Sequence, residues 1–277
     1  MPSDHPSEDL TLHRFGRSGQ SAPTLLLMHG LADSGRCWPD AVRRWKKAYR
    51  VLAWDARGHG ESERFTKGEL AAGVGETMYA DAVDLLETLA AEGISRPILV
   101  GHSMGGGTAA AVGWHRPDLV TALVLEDPAL GARDDYAKGS VPKEQAKERV
   151  AGDQDIRHKP KRALKRQKRE APSWPSSEYA PWLDAKLETD TRMLAEPVIT
   201  VATPRLKVAS KISVPTLVVT GARAEVVRGE YFTALRDLEN PCLSFEVVKK
   251  AGHCVRRDRA DGFHAVVDPW LEAQFRL

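Results

Sequence analysis

The sequence predicts an α/β protein with a mostly parallel β-sheet that is covered by helices on both faces. Short, nearly continuous apolar runs recur along the chain and suit strands that are buried on both sides. They lie at residues 24–28, 50–54, 97–100, 123–125, 216–220 and 245–248. Segments with helical spacing of their apolar residues lie between these runs, as at residues 76–90. This alternation of strands and helices favours parallel pairing.

Weaker patterns complete the expected order of elements. Residues 10–15 alternate loosely between apolar and polar side chains, which suggests an edge strand, and residues 38–49 suit a first helix. A further apolar run at 197–201 resembles a strand. The last helix is expected over residues 263–275 with an interruption near Pro269, because proline removes a helix hydrogen bond.

The composition is that of a globular protein. The chain has 277 residues, of which 42% are hydrophobic and 28% charged, and this length suits one large domain with an insertion. No apolar run approaches the roughly 18 residues that a membrane helix needs. The polar residues 1–9 lack the apolar core of a signal peptide. We therefore expect a cytoplasmic protein that does not associate with a membrane.

Cysteine and histidine spacing gives no sign of a metal or a disulfide framework. The three cysteines, Cys37, Cys242 and Cys254, are scattered and odd in number. None of the paired Cys or His spacings that are typical of zinc sites occurs. We expect neither a metal nor a cofactor, and the sequence leaves the oligomeric state open.

The most specific motif is the G-x-S-x-G pentapeptide at residues 101–105. An apolar strand run precedes it, and the small residues 105–112 that follow suit a helix packed close to a sheet. A strand, a sharp turn and a helix would place the Ser103 hydroxyl at the apex of the turn, beside a helix N-terminus. Ser103 is therefore the candidate nucleophile. An ordinary capping serine is the alternative.

Three further motifs follow predicted strands. They are His29-Gly30, the D-x-R-G-x-G-x-S stretch at residues 55–62 and Gly252-His253. In this order, and with the pentapeptide between the second and third of them, they resemble the α/β-hydrolase fold family. The resemblance covers nearly the whole chain except residues 131–212. It implies a core domain of residues 1–130 and 213–277, and a helical cap of residues 131–212 inserted after the sixth strand.

The resemblance assigns His253 as the base that takes the proton of Ser103. A serine hydroxyl needs such a base, and the base needs a carboxylate that holds its tautomer. His29 and His102 lie inside motifs beside the site, where a structural role is the simpler interpretation. The remaining histidines have less support from a motif.

The carboxylate has three candidates. Most of the family carries it in a G-x-x-D pattern after the seventh strand, but Ala224 occupies that position here and Glu225 comes one residue later. Haloalkane dehalogenases and the fungal zearalenone lactonase instead place an acid after the sixth strand. Their spacing, ten residues after Pro117, gives Asp127 in this sequence. We expect Asp127. Its neighbour Glu126 should point the other way if the strand alternation persists, and it stays an alternative with Glu225.

Two backbone amides should form the oxyanion hole. The resemblance assigns these donors to Leu31, after the His29-Gly30 pair, and to Met104, after the nucleophile. Gly30 and Trp38 are expected to contact the substrate. In the cap, the candidates for lining the substrate pocket are Trp174 and Trp182, for which anchoring of the cap is an equal alternative.

The segment Arg157–Arg169 is strongly basic. It contains eight Lys or Arg residues among its 13 residues and no acid, whereas the net charge of the whole chain is only +2. A solvated cap helix is the favoured interpretation, and guidance of an anionic substrate is the next. No aromatic residue is interleaved for base stacking, so we do not expect a nucleic-acid partner.

Together these features predict a serine hydrolase that cleaves a small ester or lactone through an acyl-enzyme. A C–C bond hydrolase of the ring-cleavage-product type uses similar residues, but the position of Ala224 counts against it. A non-catalytic ligand receptor on the same fold is a further alternative. The serine in the pentapeptide argues against haloalkane dehalogenases and epoxide hydrolases, whose nucleophile at this position is an aspartate.

Overall fold

A seven-stranded β-sheet forms the centre of the described part of the chain, which comprises residues 10–19, 22–133 and 143–275. In the computed structural model the strand order is β1-β3-β2-β4-β5-β6-β7, with β1 antiparallel to β3 and every other pairing parallel. The strands are β1 (Leu12–Gly16), β2 (Thr24–Met28), β3 (Arg50–Trp54), β4 (Ile98–His102), β5 (Ala122–Glu126), β6 (Thr216–Gly221) and β7 (Leu243–Val248). The predicted α/β architecture is confirmed, and the expected edge strand is present and pairs antiparallel.

Helices cover both faces of this sheet. One core layer lies between the sheet and helices α1 and α12, and the other lies between the sheet and helices α3, α4, α9 and α10. The helices are α1 (Pro39–Trp45), α2 (Lys67–Ala72), α3 (Val74–Ala91), α4 (Ser103–His115), α5 (Lys143–His158), α6 (Pro160–Glu170), α7 (Tyr179–Leu187), α8 (Thr191–Leu194), α9 (Arg205–Lys211), α10 (Gly229–Arg236), α11 (Val255–Asp258) and α12 (Ala260–Gln274). Because helices cover both faces of the sheet, its central strands are buried on both sides, which explains their nearly continuous apolar sequences.

Helices α5 to α9 all lie between β5 and β6, and we call residues 143–211 the helical insertion. The strand before it is the fifth in the described part of the chain and the sixth in the family order. Residues 134–142 of the expected cap, and residues 1–9 on which the expected location depends, lie outside the described residues. The boundaries of the cap therefore stay a prediction.

Two local expectations were wrong. Helix α12 is not interrupted near Pro269 but continues through it, because Phe263, Val267 and Leu271 on both sides of the proline are fully buried against the sheet. This packing outweighs the hydrogen bond that proline removes. The apolar run 197–201 forms no strand. It crosses α3 as an irregular segment, and its Thr200–Val201 backbone lies where a side chain at Gly75 would stand.

Helix α4 packs unusually close to the ends of the central strands. A Cβ at Gly105 would stand against the Met28 carbonyl, and a Cβ at Gly107 would stand against the Ala129 carbonyl oxygen, both well inside contact distance. The obstacles are backbone atoms, which cannot move aside as a flexible side chain can. The glycine-rich start of α4 therefore lets the helix lie directly against β2 and the segment after β5.

We expect Gly107→Ala to destabilise the fold by about 1–3 kcal/mol, the usual cost of overpacking. Gly152→Ala is the matched control, since it is also a helical glycine but a Cβ there would meet nothing within 4 Å. That change should be neutral or stabilising by up to about 1 kcal/mol, because alanine favours helix. Urea unfolding of both variants measures the difference. Equal stabilities would contradict the packing argument.

Candidate active site

Ser103 lies at the junction of β4 and α4. Strand β4 ends at His102 and α4 begins at Ser103, so no loop residue separates them. The backbone of Ser103 has φ +48°, a left-handed conformation that residues with a Cβ rarely adopt. Such strain is common where a fold holds a functional side chain in place. The residue is half-buried, and within the described residues its hydroxyl has no hydrogen-bond partner.

His253 and Asp127 form a close pair beside this turn. The Nδ1 atom of His253 lies 2.6 Å from Oδ2 of Asp127. His253 follows β7 in a short loop, and Asp127 directly follows β5 with φ +36°. The His253 ring centroid is 4.7 Å from that of His102, the residue before Ser103. The structure thus brings the expected acid and base together beyond the carboxyl ends of β5 and β7, which lie on either side of β6.

The loop after β6 holds the Asp127 carboxylate through its backbone. The amide of Val227 donates to Oδ1 at 2.7 Å, and the amides of Glu225 and Val226 donate to Oδ2 at 3.2 Å each. The hydroxyl of Thr220 donates to Oδ1 at 3.1 Å. The loop that carries the acid in most of the family therefore supplies donors here, and these donors favour the ionised form of the Asp127 carboxyl group.

This arrangement shifts the pKa of both partners. Burial alone would lower the pKa of His253, but the hydrogen bond and charge of Asp127 outweigh it and raise the pKa above the ordinary 6.5. Burial alone would raise the pKa of Asp127, but His253 and the loop amides outweigh it, so this pKa is lowered. Asp127 is therefore ionised at neutral pH. It favours the His253 tautomer with its proton on Nδ1 and Nε2 free to accept one.

The two alternative acids lie in other surroundings. Glu126 is fully buried, and its carboxylate contacts Arg256 rather than His253. It accepts hydrogen bonds from the Arg256 amide at 2.7 Å and from the Arg256 guanidinium at 2.6 Å. The Glu225 side chain is exposed, although its backbone amide contacts Asp127. Of the three candidates, only Asp127 has its carboxylate at hydrogen-bond distance from His253.

A buried charge cluster behind His253 was missed by the sequence reasoning. Arg256 and Arg257 are both almost fully buried, and the Arg257 guanidinium lies 3.0 Å from Oδ2 of Asp33 and donates to Oε2 of Glu178 at 2.9 Å. Burial would raise the pKa of Asp33, but Arg257 and Lys186 outweigh it and hold this pKa well below its ordinary range. The available signal was the pair of adjacent arginines three residues after His253.

The amides expected to form the oxyanion hole are both without an acceptor. Neither the Leu31 nor the Met104 amide has a hydrogen-bond partner within the ranges that the structure describes. Met104 is in the first turn of α4, where helix amides have no partner in the helix. Gly30 lies close to Ser103, since a Cβ built on it would stand 3.3 Å from the Ser103 Cβ.

The tryptophans that were expected near the substrate serve packing. Trp38 is fully buried with the Arg256 guanidinium 3.9 Å above its ring, which leaves no exposed surface for a substrate. The indole nitrogen of Trp174 donates to Asp258 at 2.8 Å, and its ring packs with Trp182 and Cys254. Of the two open interpretations for Trp174 and Trp182, this geometry favours anchoring of the helical insertion to the chain after His253.

A cavity of about 550 Å³ lies next to the loop that holds Asp127. This volume is in the range of small-molecule sites. The cavity extends between the segment after β5, the helical insertion and α10, and the described residues that line it include Ala129, Leu130, Ile199, Glu225, Val226 and Tyr231. The Ala129 amide donates to the Ser103 carbonyl, so this wall of the cavity is attached to the nucleophile turn.

The basic segment forms the end of α5 and most of α6. Lys161, Arg162 and Lys165 are exposed, whereas Ala163 packs inward. Arg166 pairs with Asp155 at 2.9 Å. This exposure fits a solvated helix.

In the described part of the chain, no group of three or more His, Cys, Asp or Glu side chains could hold a metal ion. Over the same residues, no helix is both long and apolar enough to cross a membrane.

Comparison with known proteins identifies the family. A model of the alpha/beta hydrolase family matches residues 25–266. The chain belongs to this family. It is 31% identical over 116 residues to epoxide hydrolase 4 of Mus musculus, a match that covers 42% of this chain and 31% of that protein. It is 34% identical over 122 residues to lipase LipV of Mycobacterium tuberculosis, with 44% and 42% covered. These matches span less than half of each relative.

Several solved structures resemble this chain over nearly its whole length. The esterase RhEst1 from Rhodococcus sp. ECU1013 superposes with a TM-score of 0.73 at 21% identity, covering 96% of this chain and 95% of that one. The enol-lactonase from Burkholderia xenovorans LB400 gives a TM-score of 0.69 at 24% identity, covering 95% and 96%. At these identities the likeness shows the fold alone.

We expect Glu126→Ala to destabilise the protein by about 3–5 kcal/mol, because it leaves the buried Arg256 guanidinium without its carboxylate partner. Glu225→Ala, which removes an exposed carboxylate and keeps the amide that contacts Asp127, should change stability by less than about 0.5 kcal/mol. Urea unfolding measures both. A small loss for Glu126→Ala would show that this ion pair does not support the fold.

Proposed function

We propose that this protein is a serine hydrolase that cleaves a carboxylic ester or a lactone through an acyl-enzyme intermediate. The observation that carries the proposal is the Asp127–His253 pair at 2.6 Å beside the strained Ser103 turn. An ionised carboxylate on Nδ1 leaves Nε2 of the imidazole free to act as a base. The two amides without acceptors, at Leu31 and Met104, support the same reaction.

The proposed reaction has two steps. Ser103 Oγ attacks the substrate carbonyl while His253 Nε2 takes its proton, and the Leu31 and Met104 amides stabilise the negative oxygen. The C–O bond to the leaving alcohol then breaks as His253 returns the proton to that oxygen. Water attacks the acyl-enzyme by the same route and releases the acid and Ser103. In a lactone the alcohol and the acid remain in one product.

We also propose that residues 131–212 act as a cap over this site. The support is that the helical insertion contacts two segments of the proposed site, the loop that carries Leu31 and the chain that follows His253. Trp174 reaches Asp258 after His253, and Lys186 donates to the Ala32 carbonyl beside Leu31 at 2.8 Å. A cap attached at these two points would limit which substrates enter.

Three other functions fit the site less well. A C–C bond hydrolase is the second candidate because it would use the same serine and histidine, but Ala224 occupies the position where those enzymes carry their acid. An epoxide hydrolase, the activity in the name of one relative, would need an aspartate where this chain has Ser103. A non-catalytic receptor would have no need for the donors that hold Asp127 ionised.

We expect Ser103→Ala to reduce turnover of small p-nitrophenyl esters by roughly 10⁶-fold, because it removes the nucleophile. Covalent labelling by a fluorophosphonate should be lost with it, since the reagent needs the same oxygen. Far-UV circular dichroism should show an intact fold. Labelling and hydrolysis at the wild-type rate would contradict the assignment.

We expect Asp127→Asn to slow hydrolysis by about 10⁴-fold, because a neutral amide stabilises the wrong imidazole tautomer. In wild type, kcat/KM should decrease as the pH is lowered through the pKa of His253, because the protonated imidazole cannot act as a base. This pKa is raised above 6.5, so the decrease should begin above that pH. In the variant the residual activity should persist to lower pH, because the charge that raises this pKa is gone.

The control for this prediction is Glu225→Gln, which keeps the loop amides and removes the nearest alternative acid. Its rate should stay within about threefold of wild type and its pH profile should change little, because Glu225 is exposed and its charge raises the pKa of His253 less than Asp127 does. If Glu225→Gln is the inactive variant, the acid of the triad lies after β6 and Asp127 is a structural residue.

A further inference from the structure

The loop that carries the Leu31 amide is a strained turn. Residues 30–33, which we call the oxyanion loop, follow β2, and the Asp33 amide donates to the Gly30 carbonyl at 3.1 Å. This is the hydrogen bond of a β-turn with Leu31 and Ala32 at its centre. Ala32 has φ +55°, whereas Leu31 does not have a positive φ. These signs define a type II turn, which favours glycine at the position that Ala32 occupies.

Alanine at this position prefers the type I turn, in which the central peptide is flipped. The observed turn therefore depends on contacts from outside the loop. One comes from the motif after β3, where His59 Nε2 accepts from the Ala32 amide at 3.1 Å. Burial lowers the pKa of His59 to about 3, so its ring is neutral and can accept. This bond fixes the orientation of the central peptide directly.

The other contact comes from the helical insertion. Lys186, on α7, donates through Nζ to the Ala32 carbonyl at 2.8 Å and lies 3.6 Å from Oδ1 of Asp33. Its side chain is 18% exposed, so this hydrogen bond is largely shielded from water. Lys186 is separated from Ala32 by 154 positions in sequence. With His59 on its amide and Lys186 on its carbonyl, Ala32 is held on both sides.

We propose that Lys186 is a positioning residue for the oxyanion hole, through which the helical insertion holds the oxyanion loop in its strained turn. This inference rests on the proposed function for its catalytic consequence. Without the ammonium group the Ala32 carbonyl loses its partner, and His59 is the remaining outside contact that holds the strained turn. The turn then opens more often, and each opening moves the adjoining Leu31 amide away from the place where the negative oxygen forms.

The charge balance around Asp33 allows this idea to be tested without unfolding the protein. Asp33 also pairs with Arg257 at 3.0 Å and Arg256 at 3.7 Å, so its carboxylate keeps cationic partners when Lys186 is replaced. Lys186→Met retains the length of the stem and removes the donor. Lys186→Arg restores a cationic donor. Lys161→Met, at an exposed lysine of α6 in the same insertion, is the matched control.

The first readout does not need activity. In the Ser103→Ala background, hydrogen–deuterium exchange of peptides that cover residues 29–36 should become at least about tenfold faster with Lys186→Met, because the turn opens more often. Lys161→Met should leave the exchange unchanged. If Lys186→Met also leaves it unchanged, Lys186 does not hold the loop and the inference is wrong, whatever reaction the protein catalyses.

The second readout separates this inference from the proposed function. In otherwise wild-type protein, Lys186→Met should slow fluorophosphonate labelling and lower kcat by about 10- to 100-fold, less than the 10²–10³-fold typical for loss of a whole donor. KM should stay within about threefold, and Lys186→Arg should recover most of the rate. If wild type labels and Lys186→Met labels equally fast, the inference fails alone. If wild type itself does not label, the proposed function fails.

Discussion

The carboxylate of Asp127 is the centre on which the candidate site depends. It directly follows β5 and accepts hydrogen bonds from the loop after β6 and from His253 after β7, so a single anion joins three neighbouring strand ends. Because the strands are parallel, their carboxyl ends meet at one edge of the sheet. The donors fix the anion, and the anion fixes the tautomer of His253. The geometry of the base is therefore determined by the order of the strands.

A second layer of charge connects this centre to the helical insertion. Arg257 joins Glu178 of the insertion to Asp33 of the oxyanion loop, and Lys186 reaches the same loop from α7. Buried ion pairs are costly to desolvate, so their presence is weak evidence for added stability. Their value here is positional, since they hold the proposed base and the proposed oxyanion donors relative to each other. The proposed cap would thus position parts of the proposed site as well as cover it.

The sequence predicts the sheet and the strand–turn–helix at Ser103, because apolar strand runs and glycine motifs are local features. The pairing of His253 with Asp127 is expected only from the resemblance to the family. It does not predict the continuation of α12 through Pro269 or the burial of Trp38, because both depend on what packs against them. The sequence does not predict the buried charge cluster around Arg256 and Arg257 either, because its members lie far apart in sequence. Lys186 is one of many basic residues in the insertion until the fold brings it to Ala32.

The most direct test of the central claim is a crystal structure of the protein after reaction with a serine-directed phosphonate. We expect phosphorus bonded to Ser103 Oγ, with a phosphonate oxygen about 2.7–3.1 Å from the Leu31 and Met104 amides. Nδ1 of His253 should remain on Asp127, with Nε2 facing the adduct. An adduct on another residue, or His253 paired with Glu225 instead of Asp127, would contradict the account.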